Sequence, residues 1–329
     1  MIMVICGLLI VILFTFILLN FLYKCSAVYY NEFFDINELV RNTGNKGKMI
    51  FLGSTYSKYA FGAYKKMLLD MSDFAVQSQC IEMDYRLLKN NVEKCEKGTI
   101  VFIVLAACCM MYEEGKDKLI YHLIFKDKKN RMHYVKQNLE VLFPLLFHPR
   151  NIKRLLKKNF CYETIYDSFP ISVTQEQSEK IMLNMANGWI NMFGLRDLKT
   201  MKLPTKCDES IKNNTIWLNK IIDLCIEKKL VPIVVVPPFS DRLNKYYSKE
   251  FTKKAIDENV KELVRKRQVP FLNYQWDDDF QQAYSLFVDG GFRLNENGSR
   301  VFLKRLFKDL NNLGFEINNR KYSRWRKNV

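Results

Sequence analysis

The stretch Met49-Ile50-Phe51-Leu52-Gly53-Ser54-Thr55 decides the fold of this chain. The apolar run 49–52 predicts a strand that is buried on both faces, as strands of a parallel sheet are. Gly53 permits the tight turn that must follow, and Ser54 and Thr55 are residue types that begin helices. The segment therefore predicts a strand, a turn and a helix, with Ser54 at the edge of a sheet.

Outward from this stretch, short apolar runs alternate with segments of helical period. The later predicted strands are 74–76, 99–106, 231–236 and 269–273. The predicted helices are 58–69, 81–90, a helix with Leu218, Ile221, Ile222 and Cys225 on one face, 249–266, and a last helix marked by Phe302, Leu306 and Leu310. This alternation predicts an α/β protein, a parallel sheet with helices on both faces.

A second informative stretch lies near the C-terminus, Leu286-Phe287-Val288-Asp289-Gly290-Gly291-Phe292-Arg293-Leu294-Asn295. Together with Gly53-Ser54-Thr55 it resembles the two ends of an SGNH-type serine esterase or acyltransferase. In that family a Gly-Asp-Ser-like turn presents the nucleophile, and a late Asp-x-x-His supplies its partners. Bacterial envelope members that are anchored in the membrane, such as the D-alanyl transfer proteins of teichoic acid, are the nearest in character.

The resemblance covers most of residues 48–312 and implies a flavodoxin-like, three-layer α/β/α sandwich. It implies that Ser54 is the nucleophile and Asp289 its acidic partner. The residues that it assigns to the oxyanion hole or to substrate binding are Gly53, Gln77, Gln79, Arg293 and Asn295. It implies no cofactor and no metal.

The chain departs from the family pattern in two blocks. Arg293 stands where the family has its histidine, and an arginine cannot act as a base near neutral pH. Ala106-Ala107-Cys108 stands where the family has Gly-x-Asn. Three alternatives follow: Asp289 or an upstream histidine, His148 first, activates Ser54; or Arg293 binds an anionic group in an inactive cleft; or Asp289 and Arg293 only hold the loop.

The N-terminal residues 2–22 carry no charge and are long enough, as a helix, to cross a membrane. We expect a transmembrane anchor over residues 1–23, in preference to a cleaved signal peptide or a lipid-modified Cys25. Basic residues after the anchor favour a cytoplasmic domain, whereas the family resemblance favours an extracytoplasmic one, which we prefer.

Four regions are expected to follow one another. A tether spans 24–47, an SGNH-like domain 48–312, and a basic tail 313–329. A mostly helical, aromatic and basic insertion, about 110–204, interrupts the domain after its third strand. It is a lid, a partner surface or an added helical layer.

Charge and cysteine content limit the partners. The net charge of +16 favours an anionic neighbour such as phospholipid headgroups or an acidic envelope glycan, and the expected anchor argues against nucleic acid. Nine cysteines without a CxxC pair suggest neither a zinc site nor a disulfide framework. Residues 277–279, three aspartates, are expected to begin a solvated helix rather than to bind a metal.

These features predict a membrane-anchored esterase or O-acyltransferase that acts on an acylated cell-envelope or capsular polysaccharide. The alternative is a catalytically inactive protein of the same fold that binds glycan or supports polysaccharide assembly.

Overall fold

A computed structural model of the chain describes residues 2–26, 29, 47–114, 121, 125, 131–157, 174–200 and 202–315. The chain divides into two compact units. A helical unit comprises residues 1–40 and 117–170, and an α/β unit comprises residues 41–116 and 171–329. Most of the expected tether, the tail beyond residue 315, His122 and the side chain of His133 lie outside the described residues.

The secondary structure of the described residues follows the chain as strands and helices of very different lengths. The strands are β1 (Met49–Leu52), β2 (Met71–Asp73), β3 (Ile100–Val104), β4 (Val231–Val236) and β5 (Phe271–Asn273). The helices are α1 (Ile2–Lys24), α2 (Thr55–Ala60), α3 (Ile81–Asn91), α4 (Ala107–Met111), α5 (Arg131–Leu142), α6 (Pro144–Phe147), α7 (Arg150–Lys157), α8 (Gln175–Phe193), α9 (Thr205–Glu227), α10 (Asp241–Asn244), α11 (Lys249–Thr252), α12 (Glu258–Lys266), α13 (Asp278–Gln281) and α14 (Glu296–Asn312). A π-helical turn, Lys253–Asp257, joins α11 to α12, and 3-10 turns lie at Val92–Lys94 and Tyr284–Leu286.

The sheet of the α/β unit is parallel, with the strand order β2-β1-β3-β4-β5. This is the flavodoxin-like order. Met49 of β1 is opposite Ile100 of β3, and Ile103 of β3 is opposite Val234 of β4. The central strands β1, β3 and β4 are buried almost throughout, because helices cover both of their faces. The predicted α/β fold class is confirmed.

The order of the strands determines which helices share a face. The step from β1 to β2 runs in one direction along the sheet, and the later steps run in the other, so right-handed crossovers put α2 opposite α3, α9 and α12. The last helix, α14, joins α2, since the Ser299 hydroxyl donates to the Ala60 carbonyl at 2.8 Å. On the other face, Tyr85 of α3 packs against Trp217 of α9, with ring centroids 5.4 Å apart.

Several predicted elements have the observed bounds, and two differ. The predicted helix 58–69 begins at Thr55 and ends at Ala60 instead. It ends there because Ser299 takes its hydrogen bonds: the Ser299 hydroxyl donates to Ala60 and accepts the Ala63 N–H at 2.9 Å. The predicted strand 74–76 lies three residues earlier, at Met71–Asp73. It ends there because the Asp73 carboxylate accepts the Ala75 N–H in a local turn.

The helical unit is built on α1, which is long and apolar enough to span a membrane, with a mean hydropathy of 2.9. A signal sequence would satisfy the same criteria. At the C-terminal end of α1, Tyr23 and Leu145 of α6 form a small core with Leu19, Tyr29 and Ile152. The insertion is therefore helical in its described part.

Candidate functional site

Ser54 lies in the turn between β1 and α2, at the carboxyl edge of the sheet. Gly53 makes this turn with a φ of +123°, and a Cβ on Gly53 would lie 2.9 Å from the Val104 carbonyl oxygen of β3. Glycine is thus required here by both backbone conformation and space. The Ser54 side chain is almost buried, and it is placed next to the first N–H groups of α2, which have no acceptor within the helix.

A pocket of about 200 Å³ opens at Ser54. It lies at the ends of β1 and β3, where the strand order reverses, and α/β sheets of this order bind ligands at that point. Its polar lining comprises Ser54, Thr55, Gln77, Ser78, Gln79 and Arg293. Its apolar lining comprises Tyr56, Cys108, Cys109, Tyr112, Met185, Trp189, Met192, Phe193 and Phe292. The site is therefore largely apolar, with a hydroxyl and one guanidinium.

The hydrogen-bond partner of the Ser54 hydroxyl is a thiol. Ser54 Oγ lies 3.4 Å from Cys109 Sγ, in α4 just after β3. Burial raises the pKa of the Cys109 thiol to about 11, although its hydrogen bond to Ser54 opposes that rise. The thiol is protonated at neutral pH, so Cys109 does not act as a base toward Ser54.

A buried carboxylate lies behind the nucleophile turn. Asp84 Oδ1 accepts the Gly53 N–H at 2.8 Å and also accepts from the side-chain amide of Gln79. Burial raises the pKa of Asp84 to about 7, and the hydrogen bonds from Gln79 and Gly53 restrain that rise. Asp84 therefore fixes the backbone just before Ser54 and titrates near neutral pH.

The Asp289 carboxylate organises its own loop. Its Oδ1 accepts the backbone N–H groups of Gly291, Phe292 and Arg293 at 2.9, 3.1 and 3.2 Å. Its Oδ2 faces Arg293 Nε at 3.7 Å. Burial raises the pKa of Asp289, while these hydrogen bonds and Arg293 lower it. Asp289 thus turns the chain and holds the base of the Arg293 side chain.

Arg293 brings this loop to the pocket of Ser54. Its guanidinium carbon lies 5.4 Å from the ring centre of Phe292 and 5.7 Å from that of Tyr59. Phe292 in turn packs against Tyr56 of α2, with ring centroids 5.0 Å apart. The two sequence blocks that are far apart in the chain meet at one pocket.

The remaining predicted site residues have different surroundings. Gln77 lines the pocket. Gln79 also lines it, but its amide donates to the Phe74 carbonyl and to Asp84. Asn295 caps α14 by accepting the Gly298 N–H at 2.9 Å. Of the described residues that line the pocket, none is Gly53, Asp289 or Asn295.

Sequence reasoning did not assign three parts of this site. Cys109 was interpreted as a buried apolar residue, and Asp84 as part of an ordinary helix. The apolar wall from α8, Met185, Trp189 and Met192, was part of the insertion without a role. Its spacing of four and three residues is the signal that could have indicated one helix face.

Two other predicted features lie outside the pocket. His148 Nε2 is 2.8 Å from the Glu140 carboxylate within the helical unit. Asp277 caps α13 by accepting the Asp279 N–H, which confirms that the three aspartates begin a helix. Across the described part of the chain, no group of three or more His, Cys, Asp or Glu side chains is placed to hold a metal ion.

Comparisons with known proteins add little to this geometry. No protein-family model and no curated protein sequence matches the chain. Among solved structures, it is similar to a Bacteroides fragilis protein described as a candidate acylhydrolase, at 8% identity and a TM-score of 0.41. That match covers 84% of this chain and 94% of the other.

Proposed function

We propose that this chain is a membrane-anchored, SGNH-like esterase or O-acyltransferase of the cell envelope, with Ser54 as its nucleophile. The observation that supports the proposal is the position of the Ser54 hydroxyl. It opens into a pocket of ligand size, after the first strand and before a helix, where the strand order reverses.

The proposed reaction is attack of Ser54 Oγ on an ester carbonyl. The bond between the carbonyl carbon and the leaving oxygen breaks, and the serine proton passes to the leaving alkoxide. The N–H groups of the first turn of α2, with Gln77, are the proposed donors to the developing oxyanion. Water or a glycan hydroxyl then takes the acyl group from Ser54.

Turnover is expected to be slow, because a thiol rather than an imidazole contacts Ser54. Enzymes that lose a member of a catalytic triad keep about 10³–10⁴-fold acceleration over water, from their oxyanion hole and binding. We expect this chain to work in that range.

The apolar wall of the pocket suggests the acyl part of the substrate. A cavity of about 150 Å³ lined by apolar side chains takes up benzene, and this pocket is similar in size at about 200 Å³. Acyl groups from acetyl to roughly the size of a benzene ring should therefore fit beside Trp189 and Met185.

Arg293 suggests the other part of the substrate. A guanidinium at the pocket binds a carboxylate or phosphate group through paired hydrogen bonds, and Asp289 holds the base of its side chain. An acidic envelope glycan, acylated on a hydroxyl group, supplies both features. The net charge of +16 favours such a neighbour.

Membrane anchoring by α1 and an extracytoplasmic location are parts of the same proposal. A helix of 23 residues is about 34 Å long, which matches a hydrocarbon core of about 30 Å.

Binding without turnover is the second candidate function. The contact between Ser54 and the protonated Cys109 thiol favours it, as does the arginine at the position of the family histidine. In that case the pocket recognises an anionic, acylated glycan during polysaccharide assembly.

The two functions are separated by a fluorophosphonate probe on the full-length protein in detergent. Ser54→Ala removes the proposed nucleophile, and Ser78→Ala removes another hydroxyl that lines the same pocket. We expect the wild type and Ser78→Ala to be labelled at residue 54, as mapped by mass spectrometry, and Ser54→Ala to be unlabelled.

Absence of labelling in folded wild-type protein would favour the binding function. Direct binding of acylated acidic oligosaccharides, measured by calorimetry and weakened by Arg293→Gln, would then test that function.

A further inference from the structure

An exposed aliphatic stripe runs along one side of the helical unit. Its residues are Val135, Leu139, Leu142 and Leu146, whose exposed fractions are 50, 39, 56 and 56%. The first three are four and three residues apart on α5, so they share one helix face. Leu146 continues the stripe on α6. Such a patch of large aliphatic side chains in contact with water indicates a partner.

The stripe is joined to α1 by specific contacts. The Leu145 N–H donates to Asn20 Oδ1 at 3.0 Å, and the Asn151 amide donates to the Tyr23 hydroxyl at 2.8 Å. The rings of Phe16 and Phe143 lie 5.8 Å apart. The helices that carry the stripe are thus fixed to the last turns of α1.

Those last turns of α1 indicate which partner covers the stripe. Side chains on α1, among them Ile17, Leu18 and Phe21, are exposed by 47, 44 and 62%. If α1 spans a bilayer, its last turns lie at the boundary between acyl chains and headgroups. Tyr23 has the amphipathic ring that is typical of this boundary. The apolar surface of α1 therefore continues into the stripe.

Basic side chains accompany the stripe, as expected of a surface that faces anionic headgroups. Lys136, Arg150 and Lys153 are all exposed. Helices with an apolar face beside basic residues lie in the membrane interface, with the apolar face about 5–10 Å below the headgroups.

We propose that the aliphatic stripe of α5 and α6 lies in the lipid interface of the leaflet at the C-terminal end of α1. This inference rests on the proposed anchoring by α1. The helical unit then touches the membrane at two places, α1 and the stripe, and cannot rotate freely on a single anchor.

The test uses full-length protein in vesicles of phosphatidylethanolamine and phosphatidylglycerol. A fluorescent amino acid is introduced at Leu142 or at Leu146, which leaves all native cysteines in place. Ile226, an exposed aliphatic residue of the α/β unit, is the matched control position. A lipid with a nitroxide near its headgroup serves as the quencher, and flotation of the vesicles reads anchoring separately.

We expect emission to fall by roughly half at positions 142 and 146 and by roughly a tenth at 226, because an interfacial helix face contacts the quencher. Protein that floats with the vesicles but is quenched equally at all three positions would overturn the inference and leave the anchor intact. Blue-shifted emission without quenching would overturn it too, since protein would then cover the stripe. Protein that does not float would refute both the anchor and the stripe.

Discussion

Ser54 Oγ lies 3.4 Å from Cys109 Sγ, so the hydroxyl after β1 and the thiol after β3 face each other across the point where the strand order reverses. Cys109 is almost buried, and burial raises the pKa of its thiol to about 11. Only the thiolate reacts with alkylating agents. The thiol of Cys109 is therefore held in an unreactive form beside the proposed nucleophile.

Cys109 should resist alkylation by iodoacetamide at pH 7.5 in the folded protein and react at once in denaturant. Cys108, whose pKa burial raises to about 12, should behave in the same way. Exposed Cys25 is the internal control and should react under both conditions. Peptide mapping by mass spectrometry measures each site. Rapid alkylation of Cys109 in the folded state would contradict the buried contact with Ser54.

Asp84 should make the stability of the α/β unit depend on pH. Its pKa in the folded protein, about 7, exceeds the ordinary value of 3.8, so the folded state binds this proton more tightly. The stabilisation is complete below pH of about 4 and is lost as the pH rises through about 7. The difference between the two pKa values corresponds to about 4 kcal/mol as an upper figure.

Asp84→Asn should remove this dependence, because its amide oxygen can accept the same two N–H groups from Gly53 and Gln79 without ionising. We expect the variant to melt at a higher temperature than the wild type at pH 8 and at a similar one at pH 5. Thermal unfolding followed by circular dichroism measures both. Since burial also raises the pKa of Asp289, the comparison with wild type isolates Asp84. A variant less stable than wild type at pH 8 would show that Asp84 is ionised and stabilising.

The sheet could be predicted from the sequence because its signals are local. Runs such as Met49–Leu52 and Val231–Val236 are apolar on both faces, and this alone identifies interior strands of a parallel sheet. The early end of α2 was not predictable in this way. It depends on Ser299, which is 239 residues away from Ala60 in the chain and takes that carbonyl group.

The candidate site was predictable only in part for the same reason. Ser54 follows a strand, and that context is visible in the sequence. The roles of Cys109 and Asp84 arise from contacts between segments 55 and 31 residues apart, which residue type alone does not reveal. Arg293 was singled out by its position before Leu294-Asn295, and the structure adds that it lines the pocket.

Asn295 should contribute to stability as a helix cap. Its side chain accepts the Gly298 N–H at the start of α14 and donates to the Ser285 carbonyl. Loss of an N-cap costs about 1 kcal/mol. Asn295→Ala should lower the free energy of unfolding by that amount, and Asn295→Asp, which keeps the accepting oxygen, should cost less. Urea denaturation measures both. Equal losses in the two variants would argue against capping.

Gly298 and Gly188 should respond to alanine in opposite directions, although both lie in helices. A Cβ on Gly298 would lie 2.1 Å from the Leu286 carbonyl oxygen, and a backbone atom cannot move aside without shifting α14. Overpacking of this kind costs about 1–3 kcal/mol, so Gly298→Ala should be clearly less stable than wild type. A Cβ on Gly188, in the middle of α8, would meet nothing within 4 Å. Gly188→Ala should raise the free energy of unfolding by about 0.5–1 kcal/mol, because alanine loses less backbone entropy in a helix. Urea denaturation of the two variants beside wild type measures the pair. Gly298→Ala as stable as wild type would contradict the close packing of α14 on the 3-10 turn that ends at Leu286.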